Sequence, residues 1–490
     1  MCGCSSARKR TIDVTVHGSE QLPIDQQEGD IMERKNAWEE YTEEEIRELE
    51  GLCKGYREFL DGGKTERECI TRIVSMAEQA GYKNLDQIRK NKEQLKEGDK
   101  VYSVCMKKSI VLYRIGKKSI EEGMNILGAH IDSPRLDIKQ NPLYEEQNFA
   151  YLDTHYYGGI KKYQWVTIPL AIHGVVVKKD GEVVEIIIGE KEEEPVFCIT
   201  DLLVHLSGEQ LDKKARTVIE GEKLDILFGS RPLQGEEKDK VKNQVLKLLK
   251  ESYGIEEEDF LSAELEVVPA GKARESGIDK SMIMAYGQDD RVCAYTSLIA
   301  MLEENTSDTT SCCLLVDKEE IGSVGATGMR SHFFENTVAE LLDAMGIYSE
   351  LTLRRTLANS RMLSSDVSAA FDPSYASAFE KKNAAYFGRG MVFNKFTGSR
   401  GKSGSNDANA EYIAKLRKIM DEHKVYYQTA ELGKVDLGGG GTIAYILSLY
   451  GMEVIDSGVA VLNMHAPWEI TSKADIYEAK KGYIAFLKDA

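Results

Sequence analysis

The spacing of apolar residues predicts two helices near the start of the chain. Thr42 and Glu45 form a capping-box pattern before the first, and the second is expected to begin near Thr65. Apolar residues of the first helix recur at helical spacing, at Ile46, Leu49, Cys53, Tyr56 and Leu60. Two continuous apolar runs follow, SIVLYRIG and MNILGAHIDS, which we expect to form neighbouring strands.

The middle of the chain has a β-rich pattern. The segment LAIHGVVVKKDGEVVEIII predicts a hairpin, because Asp180-Gly181 stands between two strand-like runs. PVFCITDLLVHL adds further β-like sequence, and EKDKVKNQVLKLLKESYG predicts one helix. Residues 137–280 are therefore expected to form a β-rich insertion with its own core.

After the insertion, apolar strands alternate with amphipathic helices. SMIMAYG precedes RVCAYTSLIAMLEEN, CCLLVDKEE precedes a helix around 331–346, and VAVLNMHAP precedes the closing helix ADIYEAKKGYIAFLKD. This alternation predicts an α/β fold with a mostly parallel central sheet covered by helices on both faces. The expected division is a flexible N-terminal arm (1–35), a catalytic domain in two parts (36–136 and 281–490) and the insertion (137–280).

Composition and charge limit the function classes. The net charge of −18 argues against nucleic acid or an anionic membrane as the main partner, because both reward clustered Lys and Arg. No apolar run approaches the roughly 20 residues of a membrane helix, and the N-terminus lacks the apolar region of a secretory signal. Nine cysteines without a C-x-x-C pair favour a reducing cytoplasm. Cys2 and Cys4 could instead be acylated or bind metal.

Candidate chemistry lies where the apolar runs end. Ligands of open α/β sheets bind beyond the carboxyl ends of the strands. Each site alone has an ordinary explanation, such as helix capping or solvated loop acids, but at least five carboxylates at one edge would repel each other without cations. A pair of divalent metals resolves this, and histidine with carboxylate suits zinc, with cobalt or manganese possible. The runs end in these residues: His130 and Asp132, Asp289 and Asp290, Glu319 and Glu320, Asp366, and His465.

Two-metal hydrolysis needs one bridging carboxylate, terminal ligands on each ion and a base beside a water whose pKa falls toward about 7. Asp132 lies two residues after His130, on the same strand face, and could orient its imidazole. Of the adjacent Glu319 and Glu320, one should bind metal and the other should act as general base. The pattern leaves open which glutamate does which.

The motifs GAHIDSP, QDD, DKEEIGS, SSD and NMH, in this order, resemble the aspartyl aminopeptidase and vacuolar aminopeptidase I family of dinuclear zinc peptidases. The resemblance extends from about residue 50 to the end, with YYGGIKKYQW and GGGGTIA in support. It implies that Asp289 bridges the metals and that Glu319 is the general base. It also implies that His130 and Asp366 complete one metal site, and Glu320 and His465 the other.

The same resemblance implies two further contacts and an assembly. His205, in ITDLLVHL, matches a histidine that reaches a neighbouring subunit's active site, and Lys395 matches a lysine near the substrate. The inserted domain would then build a tetrahedral dodecamer from dimers. The chain departs from the family at Asp290, usually Asn, and at Asp372-Pro373, usually His-Pro.

The predicted function is a cytoplasmic metallo-aminopeptidase that removes N-terminal residues from short peptides. A related two-metal deacylase or carboxypeptidase is an alternative, because the metal ligands do not determine the substrate. A non-catalytic oligomeric shell protein is the alternative outside the hydrolases. The sequence has no G-x-S-x-G elbow, and GGGGT lacks the Lys-Ser/Thr of a phosphate-binding loop.

Overall fold

The computed structural model describes residues 35–490. Nearly all of the predicted arm, with Cys2 and Cys4, lies outside these residues. Thr42 caps the first helix with the predicted capping box, and Thr65 caps the second with a capping box that it forms with Glu68. The α-helices are α1 (Glu43–Asp61), α2 (Glu66–Gln79), α3 (Leu85–Asn91), α4 (Gly208–Leu211), α5 (Ala215–Val218), α6 (Lys240–Tyr253), α7 (Gln288–Glu303), α8 (Phe333–Ala344), α9 (Glu350–Asn359), α10 (Ala410–Glu422), α11 (Ala444–Ser448) and α12 (Lys473–Asp489).

The central sheet is mixed but mostly parallel, as predicted. Its order is β1-β2-β3-β13-β4-β14-β18-β16-β17, and the four strands from β13 to β18 are mutually parallel. Its strands are β1 (Lys83–Asn84), β2 (Lys100–Cys105), β3 (Ser109–Arg114), β4 (Met124–His130), β13 (Thr310–Val316), β14 (Arg361–Ser365), β16 (Met391–Asn394), β17 (Tyr427–Thr429) and β18 (Glu453–Gly458).

One predicted pairing in this sheet is wrong. Strands β3 and β4 are not neighbours, because β13 lies between them, antiparallel to β3 and parallel to β4. Strand β13 is apolar on both sides: Cys312 packs into the core beneath α8 and α9, and Cys313 into the core beneath α7 and α12. A strand buried on both faces suits the middle of such a sheet.

A second, antiparallel sheet has a separate apolar core. It contains the predicted hairpin, formed by β7 and β8. PVFCITDLLVHL was wrongly expected to add β structure, since it makes only isolated bridges and then a 3-10 helix at Val204–Leu206. The insertion boundaries 137 and 280 stay a prediction. In spatial order the strands are β8 (Val183–Ile188), β7 (Leu170–Val177), β10 (Ala263–Pro269), β5 (Arg135–Glu146), β6 (Phe149–Tyr157) and β9 (Ile226–Gly229).

A third sheet corrects the expectation that all late strands join one sheet. The runs SMIMAYG and VAVLNMHAP contribute β12 and β19 to this smaller sheet, not to the central one. In spatial order its strands are β11 (Arg274–Ser276), β12 (Met282–Ala285), β20 (Glu469–Ser472), β19 (Ala460–Leu462) and β15 (Ser368–Ala369). Within residues 35–490 no helix combines the length and apolarity needed to cross a membrane.

Candidate metal centre and active site

Three neighbouring strands of the central sheet deliver four of the predicted site residues. His130 is the last residue of β4, and Asp366 directly follows β14. Glu319 and Glu320 begin a 3-10 turn just beyond β13. Because β13, β4 and β14 are parallel and adjacent, with Val316 opposite His130, their ends meet at one edge.

The remaining two site residues come from the third sheet. Asp289 lies between β12 and the body of α7, and His465 lies in the loop between β19 and β20. Helix α7 has no side-chain cap, so the ordinary explanation of Asp289 as a capping residue does not apply. The predicted convergence is therefore formed by two sheets rather than by one sheet edge.

Five of these six side chains, all except Glu319, are arranged around two positions. At the first, Nε2 of His130 is 3.4 Å from Oδ1 of Asp289 and 3.9 Å from Oδ1 of Asp366. The candidate ligand atoms of this group all lie within 4.8 Å of one another. Tetrahedral zinc with ligands at about 2.0–2.1 Å separates its ligand atoms by about 3.3 Å. The spacing therefore suits one ion.

At the second position, Nε2 of His465 is 3.3 Å from Oδ2 of Asp289 and 3.7 Å from Oε2 of Glu320. These atoms also form a group within 4.8 Å. Asp289 belongs to both groups and turns a different oxygen toward each histidine. A carboxylate in this position can bridge two ions.

Buried polar atoms without partners indicate that cations fit here. Nε2 of His130 and Oε1 of Glu320 are both buried and accept or donate no hydrogen bond. Only 3% of the Glu320 side chain is exposed, so solvated loop acid is not a valid description of it. Buried polar atoms of folded proteins are nearly always paired. Metal ions held by these two side chains would supply the missing partners.

The site has an excess of buried negative charge. Burial raises the pKa of Glu319 to about 7 and lifts the pKa values of Glu320 and Asp366 well above their usual range. Burial also opposes ionisation of Asp289, but the neighbouring His130 and His465 side chains hold its pKa below the usual range. Carboxylates that keep protons in this way are ready to exchange them for divalent cations.

Asp132 holds the turn that carries the two glutamates. Its carboxylate is fully buried and accepts the backbone N–H groups of Glu319 and Glu320, each at 3.1 Å. It also accepts the Tyr157 hydroxyl at 2.9 Å. Nδ1 of His130 lies 3.0 Å from the backbone oxygen of Asp132 and 3.2 Å from its Oδ1. The orienting role of the Asp132 carboxylate stays a prediction, and its contacts with the turn were not foreseen from sequence.

The end of β6 in the second sheet contributes residues that the sequence reasoning did not assign to the site. Nδ1 of His465 lies 2.9 Å from the carbonyl oxygen of Gly159, which leaves Nε2 directed at the metal position. Gly158 has φ +74°, and a Cβ added there would lie 3.1 Å from Oε2 of Glu320. The Gly-Gly pair after an aromatic strand was the available signal for this close approach.

Two predicted substrate contacts are not brought to the centre within the chain. His205 lies in the exposed Val204–Leu206 turn. Lys395 follows β16, which runs antiparallel to β18 and so leads away from the carboxyl edge. In residues 35–490, neither side chain has a hydrogen bond or ion pair with the six metal-site residues. A cavity of about 260 Å³ instead opens beside His465, lined by Gly159, Lys161, Gln164, Met464 and His465.

Comparison with known proteins gives consistent matches over nearly the whole chain. Residues 59–487 match the family model Aminopeptidase I zinc metalloprotease (M18). A probable M18 family aminopeptidase 1 of Clostridium acetobutylicum is 62% identical over 460 residues, which are 94% of this chain and 99% of the relative. The crystal structure of an M18 aminopeptidase from Thermotoga maritima superimposes with a TM-score of 0.89 at 46% identity, covering 94% of this chain and 100% of the other. The S. cerevisiae mApe1 dodecamer gives a TM-score of 0.71 at 19% identity, over 90% of this chain and 97% of the other, which shows a common fold.

Proposed function

Because this chain belongs to the Aminopeptidase I zinc metalloprotease (M18) family and is a metal-dependent aminopeptidase, we propose that Asp289 bridges its two zinc ions. His130 and Asp366 would complete one site, and Glu320 and His465 the other. The observation that carries this proposal is that Asp289 presents one oxygen to each histidine, at 3.4 and 3.3 Å. Family membership decides against the deacylase, carboxypeptidase and shell-protein alternatives.

Glu319 is the proposed general base. When bound, the zinc pair supplies electrostatic stabilisation and lowers the pKa of the attacking water. The Glu319 carboxylate belongs to neither ligand group, yet its backbone N–H shares Asp132 with the neighbouring ligand Glu320. It would accept a proton from the water as oxygen attacks the peptide carbonyl. It would then return that proton to the leaving amine as the C–N bond breaks.

Asp132 is the proposed orienting residue for this base. Its two oxygens receive the N–H groups of Glu319 and Glu320, so one buried carboxylate fixes the turn on which base and ligand sit side by side. Its contact with Nδ1 of His130 directs Nε2 of that ring at the metal position.

Replacing Glu319 by Gln tests whether Glu319 is the general base and Glu320 is a metal ligand. We expect the variant to keep two zinc ions and to lose kcat by roughly 10²–10⁴-fold, because only the proton acceptor is removed. Glu320→Ala is the matched control and should lose one zinc ion. Zinc content by atomic emission and hydrolysis of an aminoacyl chromogenic substrate measure both effects. A Glu319→Gln enzyme with near wild-type kcat would refute the assignment.

We also propose that the insertion (137–280) assembles the chain into a tetrahedral dodecamer of dimers. Large apolar side chains surround His205, with Leu203, Val204, Leu206 and Leu211 between 54% and 72% exposed. Such a patch is typical of a protein interface. An S. cerevisiae protein of the same fold is a dodecamer. Across this interface, His205 would reach the active site of a neighbouring subunit.

Light scattering tests the assembly. The wild-type particle should contain twelve chains of 54.8 kDa. Val204→Asp should dissociate it and reduce activity, whereas His205→Ala should reduce activity with no change in mass. A fully active monomer would contradict both proposals.

The proposed substrates are short peptides with a free N-terminus, hydrolysed in the cytoplasm, with Lys395 near the bound peptide. The cavity beside His465 is next to the second metal position and open to such a chain end. A panel of aminoacyl chromogenic substrates, assayed with zinc, cobalt and manganese, would define the preferred residue and ion. A Lys395→Ala enzyme with an unchanged KM for every substrate in that panel would remove this residue from the proposal.

A further inference from the structure

Glu469 links the two ligand residues that reach the metal centre from the third sheet. It is the first residue of β20 and pairs with Ala285 at the end of β12. Strand β12 leads into Asp289, and the loop before β20 carries His465. Glu469 therefore stands between the two segments that must be aligned.

The carboxylate of Glu469 is divided between these segments. Oε1 accepts the backbone N–H of His465 at 2.8 Å, and Oε2 accepts the backbone N–H of Asp289 at 3.0 Å. Glu469 is only 1% exposed, and within residues 35–490 no Lys, Arg or His side chain forms an ion pair with it. Both oxygens of Glu469 act as acceptors, which an amide side chain cannot reproduce, because its NH₂ group donates.

The loop that carries His465 needs such support. His465 has φ +65° and Asn463 has φ +62°, a left-handed conformation that is unfavourable for a side chain such as that of His465. The His465 side chain is 37% exposed, so burial does not hold it in place. Its contacts with Gly159 and Glu469 must do so instead.

We infer that Glu469 is a positioning residue that sets the distance between Asp289 and His465, and thereby the affinity of the second metal position. The inference rests on the proposed ligand set. The Glu469 carboxylate accepts hydrogen bonds from the backbone N–H groups of Asp289 and His465, which are two ligands of the same ion. It therefore fixes the position of these two residues relative to each other. A side chain with only one acceptor oxygen would leave one of these two backbone N–H groups without its hydrogen bond. The ligand residue that carries this N–H would then be less well positioned, although its side chain is still present.

Glu469→Gln tests this on the full-length, zinc-loaded enzyme. The amide can accept one N–H but turns its own NH₂ toward the other. We expect the zinc ion at His465 to bind about 10–100-fold more weakly, and the ion at His130, which shares only Asp289 with it, to lose less affinity. Competition with a fluorescent zinc chelator measures both affinities. Glu469→Asp, which retains the charge but is one methylene shorter, should give a smaller loss at the same ion.

Glu478→Gln is the matched control. Glu478 is also fully buried and accepts a backbone N–H, that of Tyr426 at 2.7 Å, but it does not contact the metal centre. It should lower the melting temperature and leave both zinc affinities unchanged. Two zinc ions bound to Glu469→Gln with wild-type affinity would overturn the inference, as would an equal loss of both ions. Fewer than two zinc ions on the wild-type protein would instead refute the proposed ligand set.

Discussion

The two halves of the metal centre are held in different ways. His130 ends a strand in the middle of the central sheet and is 1% exposed, and its partner Asp366 follows the adjacent parallel strand. His465 lies in a loop, and 37% of its side chain is exposed. Strand register and burial hold the first half, whereas hydrogen bonds from other sheets hold the second.

This difference has a consequence for metal binding. Two of the three ligands of the first position, His130 and Asp366, are set by the register of the central sheet, and only Asp289 comes from the third sheet. The second position depends on Gly159 of the segment after β6 and on Glu469 of β20, so it requires three sheets to be in place at once. We therefore expect the His130 half to bind zinc more tightly and to exchange it more slowly.

The sharpest test of the comparison replaces each histidine by alanine. His130→Ala should lower the stability of the metal-free protein by about 2–3 kcal/mol, because it leaves a cavity and removes the positive partner of three buried acids. His465→Ala should change stability by less than about 0.5 kcal/mol and lose one ion, since the ring is partly exposed. Urea denaturation and zinc analysis measure these effects. Equal destabilisation by both changes would break the comparison.

Metal removal should distinguish the halves without mutation. A chelator in excess should release zinc in two phases, with the ion at the exposed His465 leaving first. The Glu320→Ala variant serves as the control and should show the slow phase alone, because its second position is already empty. Release of both ions at one rate from the wild-type enzyme would show that the two metal positions do not differ in their rate of zinc release.

The smallest expected effect comes from the hydroxyl of Tyr157, which connects the second sheet to Asp132. Tyr157→Phe removes one hydrogen bond, worth about 0.5–1.5 kcal/mol, and should lower kcat about 3–10-fold through the position of Glu319. Tyr102→Phe loses a similar bond, to Glu78 far from the centre, and should leave kcat unchanged. Steady-state kinetics on both variants decide whether the second sheet influences catalysis.

Much of the fold follows from local signals. Capping boxes at Thr42 and Thr65 and the Asp180-Gly181 hairpin depend on residues within a few positions of each other, and the structure contains all three. Apart from PVFCITDLLVHL, the failed expectations concern long-range pairing. Nothing in SIVLYRIG or MNILGAHIDS shows that a strand almost 200 residues later separates them, because any apolar strand can pair with either.

The candidate site shows the same difference between local sequence signals and long-range contacts. The sequence by itself determined which residue types stand at the strand ends, because a histidine or carboxylate after an apolar run is visible without a structure. Only the tertiary structure decided that Asp289 faces both histidines and that Gly159 and Glu469 secure His465. The contacts of His465 with Gly159 and Glu469 each use a backbone group, which carries no side-chain signature, and Gly159 lies about 300 positions from His465. The packing of the three sheets therefore determines which of the side chains at the strand ends lie close together.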